Sequence, residues 1–240
     1  MANATLSRQQ LVGPARYFYL AAAIGLAALV FVGFAQTYPT SLASSPGLPW
    51  PIHLHAAVFA AWVLLFVAQP ALVVGGSIRL HRRLGWVGAG LACAMVVMGF
   101  VAVSIALREN FVPAGLPRGI FVIGNLLSVL TFGALVAAAI AKRRQPQWHK
   151  RLMICAMTLI LSQALGRILP MPSLGDAAPA VLFAVVIAIA LIGPLVDLVK
   201  LGRIHRAYFW GVGALFLFVV LTPVLGFSPI VPPIVRALGG

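Results

Sequence analysis

Apolar runs of about twenty residues recur along the whole chain, and each is long enough to cross a bilayer as an α-helix. Hydrophobic residues make up 62% of the 240 residues and charged residues only 8%, which is more apolar surface than a soluble protein of this size can bury. The alternating strand pattern of a membrane barrel is absent. Helices are the remaining way to satisfy the backbone in lipid. The sequence therefore predicts an all-α membrane bundle in which residues 1–240 form a single integral membrane domain.

Prolines divide the apolar runs into seven predicted transmembrane helices. The divisions fall at Tyr38-Pro39 through Pro51, at Pro113 and Pro117, and at Pro170 and Pro172. The predicted spans lie near residues 17–36, 52–75, 84–107, 119–141, 151–169, 178–199 and 207–227. Because Pro223 lies within the last span and a proline cluster follows it, we expect the end of this span to be irregular.

Basic residues are distributed unevenly between the two sides of this predicted bundle. Thirteen of the 17 Lys and Arg fall on the side of the N-terminus, namely Arg8, Arg16, Arg79, Arg82, Arg83, Lys142, Arg143, Arg144, Lys150, Arg151, Lys200, Arg203 and Arg206. Basic loops stay in the cytoplasm, so we predict an N-in, C-out protein of the bacterial inner membrane. The net charge of +14 then favours anionic lipid headgroups as partners. Nucleic acid is not an expected partner, because the basic residues form short clusters between spans.

Three of the five histidines stand beside a basic residue where an apolar run begins: His81, His149 and His205. Imidazole is suited to proton, metal or haem chemistry near neutral pH. Each of the three opens an odd-numbered helix from the predicted cytoplasmic side, so they can converge on one site. The alternative is that they are ordinary interfacial residues of basic inner loops.

The stretch from His53 to Arg167 carries a pattern of spaced polar residues. It reads His55, Gln69, Arg79, His81-Arg82-Arg83-Leu84-Gly85, His149-Lys150-Arg151-Leu152-Met153 and Arg167. This pattern resembles a family of uncharacterised bacterial multi-pass membrane proteins of unknown function, although Lys150 and Leu152 replace its usual arginine and tryptophan. The resemblance covers roughly half of the chain and implies no established activity. The spacing from His81 to Gly85 is also faintly similar to that of transmembrane haem-b cytochromes.

A single haem b is the first functional hypothesis. Two neutral imidazoles from different helices can ligate the iron axially, while arginine or lysine neutralises the propionates. The inner side offers His81 with His149, or either with His205, and the surrounding cations Arg82, Arg83, Lys150 and Arg151. On the outer side a second haem would need an unlike ligand such as Met171 opposite His55. We therefore expect one haem that exchanges electrons with a quinone or another membrane subunit, not a two-haem wire.

A metal site is the second hypothesis, and it uses His81, His149, His205 and Asp197. Three histidines and a carboxylate can hold zinc or non-haem iron. A membrane hydrolase would use the ion to activate water against a lipid substrate, and a metal-dependent transporter is the other possibility. No two of these residues have the i, i+4 spacing of many metal pairs. Asp197 is the only carboxylate predicted within a span, where such a group is costly. Its alternative role is a structural salt bridge to Lys200 or Arg203 in the adjoining turn.

The third hypothesis is non-enzymatic: an accessory or assembly subunit, or a carrier, that binds an anionic headgroup or cofactor at its basic inner rim.

A separate polar group is predicted in the outer half of the bundle and consists of His55, Asn125, Gln163 and Arg167. Asn125 and Gln163 should have similar depths, with Arg167 about one turn nearer the outer surface. These residues predict either a ligand pocket or interhelical hydrogen bonds.

Overall fold

The computed structural model describes residues 15–37, 49–112 and 116–238, and seven helices within these ranges are long and apolar enough to cross a membrane. They are α1 (Ala15–Ala35), α2 (Trp50–Val74), α3 (Ile78–Arg108), α4 (Arg118–Ala141), α5 (Pro146–Ile168), α6 (Ala178–Leu201) and α7 (Arg206–Gly226). No strand occurs in the described ranges. The predicted seven-helix membrane bundle is thus confirmed. Arg8, Tyr38, Pro39 and Pro113 lie outside the described residues.

Two helices begin earlier than their apolar runs predict. α3 starts at Ile78 rather than near residue 84, and α5 starts at Pro146 rather than near residue 151. Proline at the first helical position is preorganised for a helix start, and lysine, arginine and leucine are good helix formers in the turn that follows. His81 and His149 therefore lie inside the first turns of their helices, not ahead of them. Hydropathy locates the hydrocarbon-spanning part of a helix and misses its polar first turn.

The end of α7 is irregular, as the prolines predict. Pro223 lies within the helix, which stops at Gly226. A turn and a short helix, Val231–Ala237, follow and pack on α4. Another short helix, Met171–Leu174, and a 3₁₀ turn, Gly175–Ala177, join α5 to α6.

α5 is the central helix of the bundle. It packs on α1, α4, α6 and α7, whereas the outer helices follow one another in the order α1, α2, α3, α4, α7, α6. Of the seven spans it is the most buried. Its neighbours approach it through glycine: an added Cβ at Gly33 of α1 would lie 2.6 Å from the Ala164 carbonyl oxygen. Such small-residue contacts allow helices to pack closely in lipid.

The first turns of α1, α3, α5 and α7 lie at one end of the bundle, which we call the basic end. Lys150 of α5 lies over the Tyr19 ring of α1 there, with 4.3 Å between its Nζ atom and the ring centroid. The last turns of the same four helices lie at the opposite end. Because α5 is central, its first turn can contact side chains from several other helices at the basic end.

Candidate functional site

His81 of α3 and His149 of α5 contact one another at the basic end. Their ring centroids are 6.4 Å apart, and the ring planes meet at 83°. Both side chains are half-buried. The structure therefore brings together the first pair of histidines that the sequence places in a shared site, although the two residues are 68 positions apart.

Each ring of this pair has a hydrogen-bond partner. The His149 Nδ1 lies 2.9 Å from the Ala139 carbonyl oxygen; it donates its proton there, which leaves Nε2 with a free lone pair. The Gln69 amide of α2 donates to the His81 Nδ1 and, at 3.2 Å, to the His81 carbonyl oxygen. Its own oxygen accepts from the Gly85 N–H at 3.2 Å. In this arrangement the neutral His81 ring carries its proton on Nε2.

His205 lies in a different group. It is the N-cap of α7, where its Nδ1 accepts from the Ala207 N–H at 3.1 Å, and its own N–H donates to the Asp197 Oδ2 at 3.2 Å. Its ring packs against Trp148, with 5.6 Å between centroids. Burial lowers the pKa of His205, and the nearby Arg151 guanidinium lowers this pKa further. The three predicted histidines are thus divided between a pair and a capping residue.

Asp197 of α6 forms a buried ion pair with Arg151 of α5. The Arg151 Nε donates to Asp197 Oδ2 at 2.8 Å and its Nη2 to Oδ1 at 2.7 Å. Nη1 donates to the Gln147 carbonyl at 3.0 Å and to the Gln147 Oε1 at 2.6 Å. The expected pairing of Asp197 with Lys200 or Arg203 is therefore wrong, because the carboxylate faces the central helix rather than the adjoining turn.

This ion pair changes the roles that the sequence assigns to Arg151 and Asp197. The guanidinium that was expected near haem propionates is held by Asp197, whereas Arg82 remains exposed beside His81. In the described part of the chain, no group of three or more His, Cys, Asp or Glu is arranged to hold a metal ion. The four predicted metal ligands are not brought together; of them, only His81 and His149 have adjacent rings.

The predicted outer group lies at the opposite end and is spread over several contacts. The His55 Nδ1 lies 3.2 Å from the Met98 carbonyl oxygen, which joins α2 to α3. The Arg167 Nε donates to the Thr37 hydroxyl at 3.1 Å, and its Nη1 donates to the Gln163 carbonyl at 2.6 Å. The Arg167 guanidinium also lies 4.2 Å from the centroid of the Phe34 ring of α1. The Asn125 amide donates to a carbonyl of its own helix, at 2.7 Å. Arg167 and His55 thus link helices, whereas this Asn125 bond does not.

The sequence pattern does not predict the aromatic and amide partners at the basic end. Gln147 holds Arg151, and the Tyr208 ring of α7 has its centroid 5.6 Å from the Arg151 guanidinium. Tyr19 of α1 lies beneath Lys150. In the sequence, these residues share only a position near the start of helices that begin on the same side of the membrane. This position predicts that they have the same depth, but it does not predict which helices are neighbours.

The fold and the site define a polytopic α-helical membrane protein with a cross-helix histidine pair at the basic end of its bundle. Comparison with protein-family models, with curated proteins and with solved structures gave no match. The resemblance to an uncharacterised family of multi-pass proteins therefore stays a prediction.

Proposed function

We propose that this membrane protein binds one haem b, which His81 and His149 would hold, and that the bound haem would transfer electrons. The observation that carries the proposal is the separation of 6.4 Å between the two ring centroids. Two imidazoles on opposite sides of one metal ion, each with a metal–nitrogen bond of about 2 Å, have ring centres roughly 6 Å apart. Rings that bind one ion at a tetrahedral angle lie closer together. The separation would thus let the two rings hold one haem iron between them.

Ligation would occur through the Nε2 atom of each ring. The His149 Nδ1 already faces the Ala139 carbonyl, which is the usual second-shell arrangement for a ligating histidine. His81 would reach the same state if its proton moved to Nδ1 and the Gln69 amide turned over to accept a hydrogen bond from it. This turn would break the bonds of the amide to the His81 carbonyl and to the Gly85 N–H. Gln69 then fixes the ring orientation, and the exposed Arg82 and Arg83 supply positive charge for the propionates.

A bound haem supplies one-electron transfer. The histidine pair lies at the basic end alone, so electrons would be exchanged with a quinone or another membrane subunit on that side of the bilayer. With the N-terminus in the cytoplasm, this is the cytoplasmic side of the bacterial inner membrane, in keeping with the basic loops.

The test is the visible spectrum of the purified protein, oxidised and reduced. We expect a Soret band from the wild-type protein and its loss in His81→Ala and in His149→Ala. The matched control is His205→Asn, which removes a histidine at the same end but retains an N-cap side chain; its band should persist. Size-exclusion elution checks that each variant is folded.

Three outcomes contradict the proposal. One is a colourless wild-type protein after expression with ample haem precursor. Another is a Soret band that survives both alanine variants. The third is a colourless protein that carries stoichiometric zinc or iron by elemental analysis, which would move the same histidine pair to the metal-site hypothesis.

A further inference from the structure

A cleft of about 520 Å³ lies at the basic end, between α1, α5, α6 and the start of α7. Five cationic side chains line it: Lys150, Arg151, Lys200, Arg203 and Arg206. Asp197 also lines it, and apolar side chains such as Phe18, Val196 and Leu201 complete the walls. Neither His81 nor His149 belongs to the lining, so the cleft is separate from the proposed haem site.

The chain cannot neutralise this cleft with its own carboxylates. Its sequence contains only three acidic residues. Asp197 is held by Arg151, whereas Glu109 caps the end of α3 and Asp176 lies in the turn before α6, both at the opposite end of the bundle. Five cations minus the one carboxylate leave four positive charges. Apart from Asp197, no acidic side chain lines the cleft, so its excess positive charge is open to an anion from outside the chain.

The cleft also has the character of a membrane–water interface. Trp148 and Tyr19 line it, and such amphipathic rings are enriched at headgroup depth. Lys142 and Lys150 lie over these two rings, at 5.4 Å and 4.3 Å from the centroids. Beside the cleft, the last turns of α6 expose Leu198 and Val199. A ligand with a charged headgroup and apolar chains could therefore contact both the cations of the cleft and the exposed apolar surface of α6.

We propose that this cleft binds the phosphate headgroup of an anionic phospholipid, whose acyl chains lie along the exposed face of α6. Lysine offers phosphate a point charge, and arginine offers paired donors. Basic pockets between transmembrane helices are a known type of site for phosphate headgroups. Free inorganic phosphate would satisfy the cations but leave the apolar walls and the α6 face without contacts. The proposal does not depend on haem.

The experiment uses the full-length protein in neutral detergent and measures the apparent Kd for phosphatidylglycerol from the shift in thermal unfolding temperature. Phosphatidylcholine and sodium phosphate are titrated in parallel. We expect phosphatidylglycerol to bind and the other two to give little shift. In Lys200→Gln/Arg203→Gln/Arg206→Gln the apparent Kd should rise on the order of 100-fold, because each basic residue near an anionic headgroup contributes roughly a fivefold factor.

The matched control is Arg79→Gln/Arg143→Gln/Arg144→Gln, which removes three exposed cations from the same end but outside the cleft. Its Kd should stay within a few-fold of the wild-type value. An equal rise of the apparent Kd in the control would show that general surface charge causes the effect, and it would overturn the proposal. Equal stabilisation by sodium phosphate would overturn the lipid assignment. If the cleft triple variant does not fold, Lys200→Gln alone should raise the Kd roughly fivefold, and an unchanged Kd there would also refute the site.

Discussion

Arg151 is a buried cation at the basic end of an apolar bundle, with only 2% of its side chain exposed. Taking a guanidinium out of water is costly unless an opposite charge and further acceptors replace the lost hydration. Asp197 and Gln147 provide these through four hydrogen bonds. The pair fixes α5 against α6, because neither charge has another partner of opposite sign among the described residues.

Removal of one charge of this pair should therefore destabilise the protein strongly. In Asp197→Asn the Arg151 charge stays buried without compensation, and we expect the free energy of unfolding to fall by about 3–5 kcal/mol. Thermal unfolding in detergent, followed by intrinsic fluorescence, measures the change. Lys200→Gln, an exposed change one turn away, should alter stability by at most about 0.5 kcal/mol. Wild-type stability of Asp197→Asn would show that the pair is dispensable.

His205 gives the protein a pH dependence that can be traced to one cap. Burial is the main cause of its lowered pKa; Arg151, Lys150 and Arg203 lower it as well, while Asp197 opposes them. Protonation also removes the Nδ1 acceptor of the Ala207 N–H. Below the ordinary pKa of 6.5 the unfolded chain binds a proton that the folded chain resists. The stability from neutral His205 is therefore fully present above pH 6.5 and is lost as the pH falls through the lower folded-state pKa.

We accordingly expect the unfolding temperature of the wild-type protein to drop between about pH 7.5 and about pH 5.5. His205→Asn retains a capping oxygen but does not titrate in this range, so its unfolding temperature should drop less. The comparison isolates His205 from the other four histidines, which are present in both proteins. Identical pH profiles for the two proteins would rule out this cap as the source.

At the scale of elements, hydropathy and proline positions predicted the number and approximate limits of the spans, because lipid imposes both. They could not predict which helices are neighbours. Asp197 illustrates the difference. Closeness in sequence predicts Lys200 or Arg203 as its salt-bridge partner, but its partner is Arg151 on α5, 46 residues away. The His81–His149 contact depends in the same way on packing, and only their common end could be predicted.

The crossing of α1 and α5 offers a test of this packing. A Cβ added at Gly33 would lie 2.6 Å from the carbonyl oxygen of Ala164 and 2.9 Å from its Cα, and this backbone cannot move aside as a side chain can. We expect Gly33→Ala to cost about 1–3 kcal/mol in the free energy of unfolding, measured by thermal unfolding in detergent. Gly25→Ala in the same helix meets nothing within 4 Å and should be neutral or stabilising, since alanine favours helix. Equal effects of the two substitutions would contradict the close crossing.

At the scale of the whole molecule, the basic end and the membrane orientation are linked. Both proposed sites lie at the basic end, and the anionic-lipid site requires this end to face a leaflet rich in negative headgroups. The positive charge cannot have been placed there to balance protein carboxylates, because two of the three acidic residues lie at the opposite end. The N-in orientation predicted from the basic loops would place both sites on the cytoplasmic side.

Cysteine labelling in spheroplasts tests this orientation directly. Gln145 precedes α5 at the basic end and Ser173 lies between α5 and α6 at the opposite end, and both are exposed. The exposed Cys93 is first changed to serine, whereas Cys155 is buried and can stay. A membrane-impermeant maleimide should label Ser173→Cys in intact spheroplasts and Gln145→Cys only after lysis, because thirteen of the 17 cations would otherwise have to be translocated. Labelling of Gln145→Cys before lysis would reverse the orientation and place the proposed lipid cleft in the outer leaflet.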